Sequence, residues 1–256
     1  MDTKVLKLNS PIVLAHGLLG FSQIRVFRTK SVSYFREIPE FLERKGNRVI
    51  RTAVPPTRSV GSRGHALKES ILKNLGDEPF HLIAHSMGGL DARYMITHLG
   101  MDKQAITLTT IGTPHRGTVI ADRLVDRGER LGIANLMKYL QVPIEAFYDL
   151  RSRVCADFNI QTPNSPNVRY FSVIGIKQRK DMLFALRVTS DILTEAEGPN
   201  DGLVSSYSAR WGEGETIWDC DHASQIGWVG AKKKNPDLRF NIQEGYGKIL
   251  QQLIKL

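Results

Sequence analysis

Cysteine is scarce in this sequence, which has only Cys155 and Cys220 among its 256 residues. Two cysteines are too few for the disulfide framework that stabilises small secreted domains. We therefore expect a fold held together by its hydrophobic core, with two buried thiols. A single disulfide between them is the alternative.

Long apolar segments are absent as well. No window reaches the roughly 18 consecutive apolar residues that a membrane-spanning helix needs. Residues 1–10 also lack the apolar core of a secretory signal. We expect no transmembrane segment, and a protein that is cytoplasmic as given, or secreted if the sequence is a processed form.

Acidic residues are fewer than basic ones, which gives a net charge of +9 and a pI near 9.6. The basic residues are scattered, apart from the three lysines at 232–234, and aromatic residues are not interleaved with them. This pattern is typical of a solvated basic surface and not of a nucleic-acid interface. Nothing in the sequence indicates an obligate protein partner.

Hydrophobic residues make up 41% of the chain, which suits one large α/β domain over residues 1–256. Strand and helix patterns alternate in the first half, as in a mostly parallel sheet flanked by crossover helices. The predicted strands cover residues 11–15, 48–54, 80–85 and 105–112, and the predicted helices residues 32–45, 65–75 and 87–98. Further on we expect a strand over 170–174, a strand end at 217–218 and a closing helix over 241–256.

Residues 117–166 interrupt this alternation with helical patterns alone. They carry more apolar residues than one buried helix face requires, namely Ile133, Leu136, Met137, Leu140, Val142, Ile144 and Phe147. We interpret the block as a helical lid or cap inserted within the domain. A mobile lid would cover a binding site and open at a lipid surface, whereas a fixed cap would stay packed on the core.

A serine stands between a predicted buried strand and a predicted helix, with a very small residue two positions away on each side. The serine is Ser86, and the small residues are Ala84 and Gly88. This is the layout of a nucleophile elbow, a strained turn at which the backbone approaches itself closely. Ser86 is the candidate nucleophile.

A serine hydroxyl needs a base to activate it, and the base needs an acid to orient it. At a nucleophile elbow the chain order is serine, acid, histidine. His222 is the only histidine that lies late enough, and Asp201, in a turn rich in Gly, Pro and Asn, is the best acid before it. We predict a triad of Ser86, Asp201 and His222.

The developing oxyanion needs a pair of N–H donors. The first core strand leads directly into the turn His16-Gly17-Leu18-Leu19-Gly20. The predicted donors are the backbone N–H groups of Leu18 and of Met87, the residue after the serine. We expect His16 to support this turn through a hydrogen bond.

Together these motifs resemble the true lipases of the Pseudomonas and Burkholderia type. The resemblance rests on residues 11–20, 84–89, 93–94, 111–117, 200–204 and 221–222, which follow in the family's order along most of the chain. It implies an α/β-hydrolase fold, hydrolysis of triacylglycerols or other carboxylic esters, and a mobile helical lid. It also implies the same triad and the same two oxyanion donors.

The sequence departs from that family at three points. Ala84 replaces the usual glycine, as it also does in Bacillus lipases. Many relatives bind calcium through a carboxylate two residues after the catalytic histidine, where this chain has Ser224, so Asp181 or Asp191 would give only half of a site. A cysteine shortly after the triad acid is also missing. We therefore expect no metal, no cofactor and no family disulfide.

The sequence thus predicts a serine hydrolase that cleaves carboxylic esters, with a triacylglycerol lipase as the favoured interpretation. The alternatives are an acyltransferase, or a short-chain carboxylesterase or polyester hydrolase, that uses the same triad. A non-catalytic binding protein is disfavoured by the complete set of residues. A dehalogenase would need a carboxylate at position 86, and a metallohydrolase a cluster of His and Asp ligands.

Overall fold

The computed structural model describes residues 5–18, 23–26, 30–130, 145–228 and 240–256. At its centre is a parallel sheet whose strands lie in the order β4-β1-β5-β6-β7-β8. These strands are β1 (Ile12–Ala15), β4 (Val49–Arg51), β5 (Phe80–His85), β6 (Ala105–Ile111), β7 (Arg169–Gly175) and β8 (Gly214–Trp218). The predicted α/β class with a mostly parallel sheet is confirmed.

Successive side chains along a strand point alternately into two hydrophobic cores, one on each face of the sheet. Ile12 and Leu14 of β1 face one core, and Val13 and Ala15 face the other. This is the period of two that a strand imposes on its side chains. Because helices cover both faces, β1 and β5 are apolar on both sides and buried throughout.

Two helices lie on the first face and two on the second. The first core is closed by α1 (Ile38–Arg44) and the last helix, and the second by α2 (Val60–Leu75) and α3 (Gly88–His98). The remaining helices are α4 (Val119–Arg130), α5 (Glu145–Asp149), α6 (Ser152–Gln161), α7 (Arg187–Glu197), α8 (Ser206–Ala209) and α9 (Ile242–Leu253). No helix of the described ranges is long and apolar enough to cross a membrane.

The carboxyl ends of the sheet strands place the candidate residues along one edge. From β1 the chain runs to β4 on one side, whereas from β5 it runs to β6 on the other. A sheet of this kind has its crevice outside the carboxyl ends of the two strands where the connections diverge. The His16 turn follows β1 at this point, and Ser86 follows β5.

Some predicted elements have different bounds in the structure. The helix predicted over residues 32–45 is wrong in its first part, because β3 (Lys30–Ser33) pairs there with β2 (Gln23–Val26) in an antiparallel hairpin. Helix α1 begins only at Ile38, which puts Pro39 in its first turn. Inside a longer helix Pro39 would remove a hydrogen bond and clash with the preceding turn. Helix α7 was not predicted, although its sequence is amphipathic and buries Leu193.

The two cysteines are free and buried, as predicted. Burial raises the pKa of the Cys155 thiol to about 12, so it stays protonated at neutral pH.

A buried ion pair joins α2 to α3. Arg63 on α2 is 0% exposed and its guanidinium lies 2.7 Å from the carboxylate of Asp91 on α3. The same guanidinium donates to the carbonyls of His16, at 2.9 Å, and Pro55, at 2.6 Å. One side chain therefore connects two helices with the turn that follows β1.

We expect Arg63→Met to lower the free energy of unfolding by about 3–5 kcal/mol, because it leaves Asp91 as a buried charge without its partner. Arg48→Met is the matched control, since Arg48 is half exposed and its ion pair with Glu78 lies at the surface. The control should cost less than about 1 kcal/mol. Urea unfolding curves measure both, and equal losses would contradict a structural role for the buried pair.

Candidate active site

Ser86 occupies a strained turn between β5 and α3. Its φ is 56°, in the left-handed region that side-chain-bearing residues rarely adopt. The turn is held by the Ser86 N–H, which donates to the carbonyl of Ile111 at 2.9 Å. Gly88 has no room for a side chain, because an added Cβ would lie 2.8 Å from the carbonyl oxygen of His16. These are the features predicted for a nucleophile elbow.

Asp201 and His222 are brought together by two loops at the carboxyl edge of the sheet. The His222 Nδ1 lies 2.8 Å from Asp201 Oδ2, and the His222 backbone N–H donates to the Asp201 carbonyl at 2.9 Å. The other carboxylate oxygen accepts the N–H groups of Leu203 and Val204. Asp201 is only 1% exposed, so its carboxylate depends on these donors.

The Asp201 turn is in turn anchored by Asn200. The Asn200 side-chain amide donates to the carbonyl of Ser190 on α7 and to the Thr194 hydroxyl, and its oxygen accepts the N–H of Gly202. Helix α7, which the sequence did not predict, therefore holds the loop that carries the acid.

The turn after β1 lies directly against Ser86. A Cβ added to Gly17 would come within 2.6 Å of the Ser86 Cβ, so only glycine allows this approach. As predicted, His16 supports the turn: its Nε2 accepts the Val54 N–H at 3.3 Å and its Nδ1 lies 3.1 Å from the Gly17 carbonyl. Burial lowers the pKa of His16 to about 4, so it is neutral there.

Ser86, His222 and Leu18 line one cavity of about 460 Å³. Met87 is fully buried behind it. Among the described contacts, no protein group accepts the N–H of Leu18 or Met87, and no hydrogen bond joins the Ser86 hydroxyl to His222. The Ser86 hydroxyl and the His222 imidazole therefore both face a cavity that a bound molecule could occupy, and Leu18 forms part of its wall.

Apolar side chains form most of the cavity wall. They come from α4 and α5, from the segment before α7 and from the loops after α7 and β8. Representative lining residues are Ala121, Leu124, Phe147, Leu150, Leu183 and Leu186. The cavity can accept a hydrocarbon chain that ends at Ser86.

Most of the described part of the 117–166 block is helical, in agreement with the sequence, and α4 and α5 contribute side chains to the wall of the Ser86 cavity. Ile133, Leu136, Met137, Leu140, Val142 and Ile144, on which the lid prediction also relied, lie outside the described residues.

The sequence analysis did not single out three buried polar residues that the structure places beside the predicted triad. His85, Tyr34 and Gln225 are linked to each other and to Asp201 by hydrogen bonds. They come from three distant parts of the chain, with no common spacing. The one available signal was the position of His85 immediately before Ser86.

Among the residues that would replace the family's calcium ligands, Asp191 and Ser224 do not fit a calcium site. Asp191 forms an ion pair with Arg179 at 2.6 Å, and Ser224 offers only a hydroxyl. Both carboxylate oxygens of Asp221 accept backbone N–H groups, from Leu183 and Ser224. Asp221 thus joins by direct hydrogen bonds two segments that flank the cavity.

Comparison with known proteins gives a consistent set of relatives. Triacylglycerol lipase 2 of Saccharomyces cerevisiae is 37% identical over 207 residues, which cover 77% of this chain and 63% of the yeast protein. The chain thus spans less than two thirds of that relative. A triacylglycerol lipase of Vibrio cholerae is 29% identical over 239 residues, covering 79% of this chain and 74% of that protein. No family model matches the chain.

Solved structures show the same fold. The mature lipase BlEst2 of Bacillus licheniformis superimposes with a TM-score of 0.69 at 24% identity, covering 99% of this chain and 93% of that one. The Staphylococcus hyicus lipase gives a TM-score of 0.74 at 18% identity, covering 100% and 97%. The predicted α/β-hydrolase fold is therefore confirmed. By sequence and by fold, the chain belongs to the bacterial lipase family of α/β-hydrolases.

Proposed function

We propose that this protein is a serine hydrolase that cleaves carboxylic esters, and that Ser86, Asp201 and His222 are its catalytic triad. One observation carries the proposal: His222, which is hydrogen-bonded to Asp201, lines the same apolar cavity as Ser86. An acid, a base and a strained serine at one cavity are the set that acyl transfer to a serine requires.

In the first half of the reaction, the Ser86 oxygen attacks the ester carbonyl carbon while His222 Nε2 takes the hydroxyl proton. The carbonyl oxygen becomes an oxyanion and accepts hydrogen bonds from the N–H groups of Leu18 and Met87. When the C–O bond to the alcohol breaks, His222 returns its proton to the leaving oxygen. The product is an acyl-enzyme on Ser86 and a free alcohol.

In the second half, a water molecule takes the place of the alcohol. His222 removes a proton from the water, which attacks the acyl carbonyl, and the same proton then returns to the Ser86 oxygen. The acid is released and the free enzyme restored. Asp201 keeps the Nδ1 proton in place throughout, so that Nε2 faces the reaction.

The substrate class follows from the cavity wall. A chamber of about 460 Å³ lined by leucine, phenylalanine and alanine side chains stabilises an apolar acyl chain. Relatives named triacylglycerol lipase support the same class. We therefore favour a triacylglycerol lipase over an enzyme that is limited to short, soluble esters.

We further propose that residues 117–166 act as a lid on a single catalytic domain. Leu124 of α4 lines the cavity and is nevertheless 53% exposed, so one apolar side chain faces both the cavity and solvent. Such a residue at the cavity mouth can contact a lipid surface when the cavity is open.

Replacement of Ser86 or His222 by alanine, or of Asp201 by asparagine, should lower kcat by about 10⁴-fold or more while the fold is kept. The measurement is hydrolysis of a p-nitrophenyl ester, together with mass spectrometry after labelling with an organophosphonate. Ser224→Ala, a serine change close to His222, is the control and should keep its activity. Labelling at a residue other than Ser86 would overturn the assignment.

Removal of divalent cations should change neither activity nor melting temperature. Asp191 already has a partner in Arg179, and each oxygen of the Asp221 carboxylate already accepts a backbone N–H group. Assays and thermal unfolding with and without EDTA test this expectation. A large loss that added Ca²⁺ reverses would show that calcium is part of the native structure.

A mobile lid predicts that activity on a sparingly soluble ester rises sharply once droplets form. Leu124→Asp should then reduce droplet hydrolysis by roughly tenfold or more, because moving a leucine side chain from water into the lipid contributes about 1.5–3 kcal/mol. Hydrolysis of a soluble short ester should change much less. Ile160→Asp is the control, since Ile160 is 80% exposed on α6 and away from the cavity. Equal effects on both substrates would indicate a fixed cap and an esterase.

A further inference from the structure

Gln225 is a fully buried amide beside the proposed triad acid. It is 0% exposed, and its Nε2 donates to Asp201 Oδ2 at 2.7 Å. Asp201 Oδ2 is the same oxygen that His222 Nδ1 contacts. The Gln225 amide is therefore the second side-chain donor to the carboxylate oxygen that orients the base.

Two strand ends leave space for this amide. A Cβ added to Gly112, after β6, would lie 2.2 Å from Gln225 Oε1, and one added to Gly175, at the end of β7, would lie 2.1 Å from Nε2. Any other residue at either position would displace the amide. The slot between the two glycines thus holds both the oxygen and the nitrogen of the Gln225 amide.

On its other side the Gln225 amide contacts His85. Gln225 Oε1 lies 3.1 Å from His85 Nε2, and His85 Nδ1 lies 2.7 Å from the Tyr34 hydroxyl. The Tyr34 oxygen in turn accepts the N–H of Gly17 at 3.2 Å. Gly17 immediately precedes Leu18, one of the two proposed oxyanion donors.

The direction of donation in this chain is fixed by the Asp201 carboxylate. An ionised carboxylate only accepts, so the Gln225 NH₂ must face it and Oε1 must face His85. His85 must then carry its proton on Nε2 and accept the Tyr34 O–H at Nδ1. Burial lowers the pKa of His85 well below the usual value, so the ring stays neutral, as this arrangement of donors and acceptors requires.

We propose that Gln225 is a positioning residue that fixes Asp201 and, through His85 and Tyr34, links the triad acid to the oxyanion turn in one directed hydrogen-bond chain. The inference rests on the proposed function, because it assigns a role relative to that triad. Its consequence is that a change at Gln225 alters the reaction step and leaves substrate binding nearly intact.

The test variant is Gln225→Met, which keeps the length of the side chain in the slot but removes its donor and acceptor. On a soluble p-nitrophenyl ester we expect kcat to fall by roughly 10–100-fold with KM changed less than about threefold. Without the amide donor, Asp201 holds a protonated His222 more strongly. The acid limb of kcat/KM should therefore move to higher pH by about half a unit or more.

Four ionisable groups in or beside this hydrogen-bond chain do not titrate in the pH range of the acid limb. Burial keeps His85 neutral and raises the pKa of Tyr34, Tyr246 and Cys220. The Asp221 carboxylate is bonded to backbone N–H groups and not to Gln225. Tyr246→Phe is the matched control, because the Tyr246 hydroxyl donates to the Gln225 backbone carbonyl at 3.2 Å and not to its amide. The control should leave kcat and the pH profile unchanged.

A second measurement uses the unaltered protein and does not depend on the folding of a variant. ¹⁵N NMR of labelled histidine should show His85 neutral, with its proton on Nε2, from about pH 5 to pH 9. A proton on Nδ1, or a charged ring in this range, would overturn the chain. A lower melting temperature in Gln225→Met with unchanged kcat and pH profile would also overturn it and leave Gln225 with a packing role.

The two proposals can fail separately. Organophosphonate labelling of Ser86 in the unaltered protein, together with a normal pH profile in Gln225→Met, refutes the positioning role alone. Labelling at another residue in the unaltered protein refutes the proposed function and the positioning role with it.

Discussion

The Asp201 carboxylate is the charge on which the geometry of the site depends. It lies out of water, and four donors satisfy it: two backbone N–H groups of its own turn, the His222 imidazole and the Gln225 amide. A buried carboxylate without such donors would cost several kcal/mol or would take up a proton. These donors therefore fix the positions of two loops, the one that carries Asp201 and the one that carries His222 and Gln225.

The sheet brings these loops together at the carboxyl ends of its strands. This edge can be polar because the apolar cores on the two faces supply most of the stability. Apolar side chains of β1 and β5 fill a core on both sides, so that stability comes from burial along the strands. At the carboxyl ends the cores stop and backbone groups become available. The strained Ser86 turn and the tight contact with Gly17 lie at this boundary, where a large core can offset the cost of strain.

Much of the fold was readable from local pattern. Apolar runs bounded by turn residues predicted β1, β5, β6 and β7 within a residue or two, and helical spacing predicted α2, α3 and α9. The prediction was wrong where local signals conflicted, as at Val32 and Ser33, which fit a helical pattern but pair in a hairpin. Strand pairing is a non-local interaction, and no single stretch of sequence encodes it.

The sequence by itself determined the chemistry that the site can offer: a serine between small residues, one late histidine, one acid in a turn before it and a glycine turn after the first strand. Each of these is a local feature, because backbone strain and turn geometry restrict the residue types at the position. Only the tertiary structure decided how Tyr34, His85 and Gln225 meet around Asp201. Gln225 lies 140 residues from His85 along the chain. They are in contact because the parallel strands place distant loops at one edge of the sheet. There the buried Asp201 carboxylate orients the Gln225 amide, whose oxygen then faces His85.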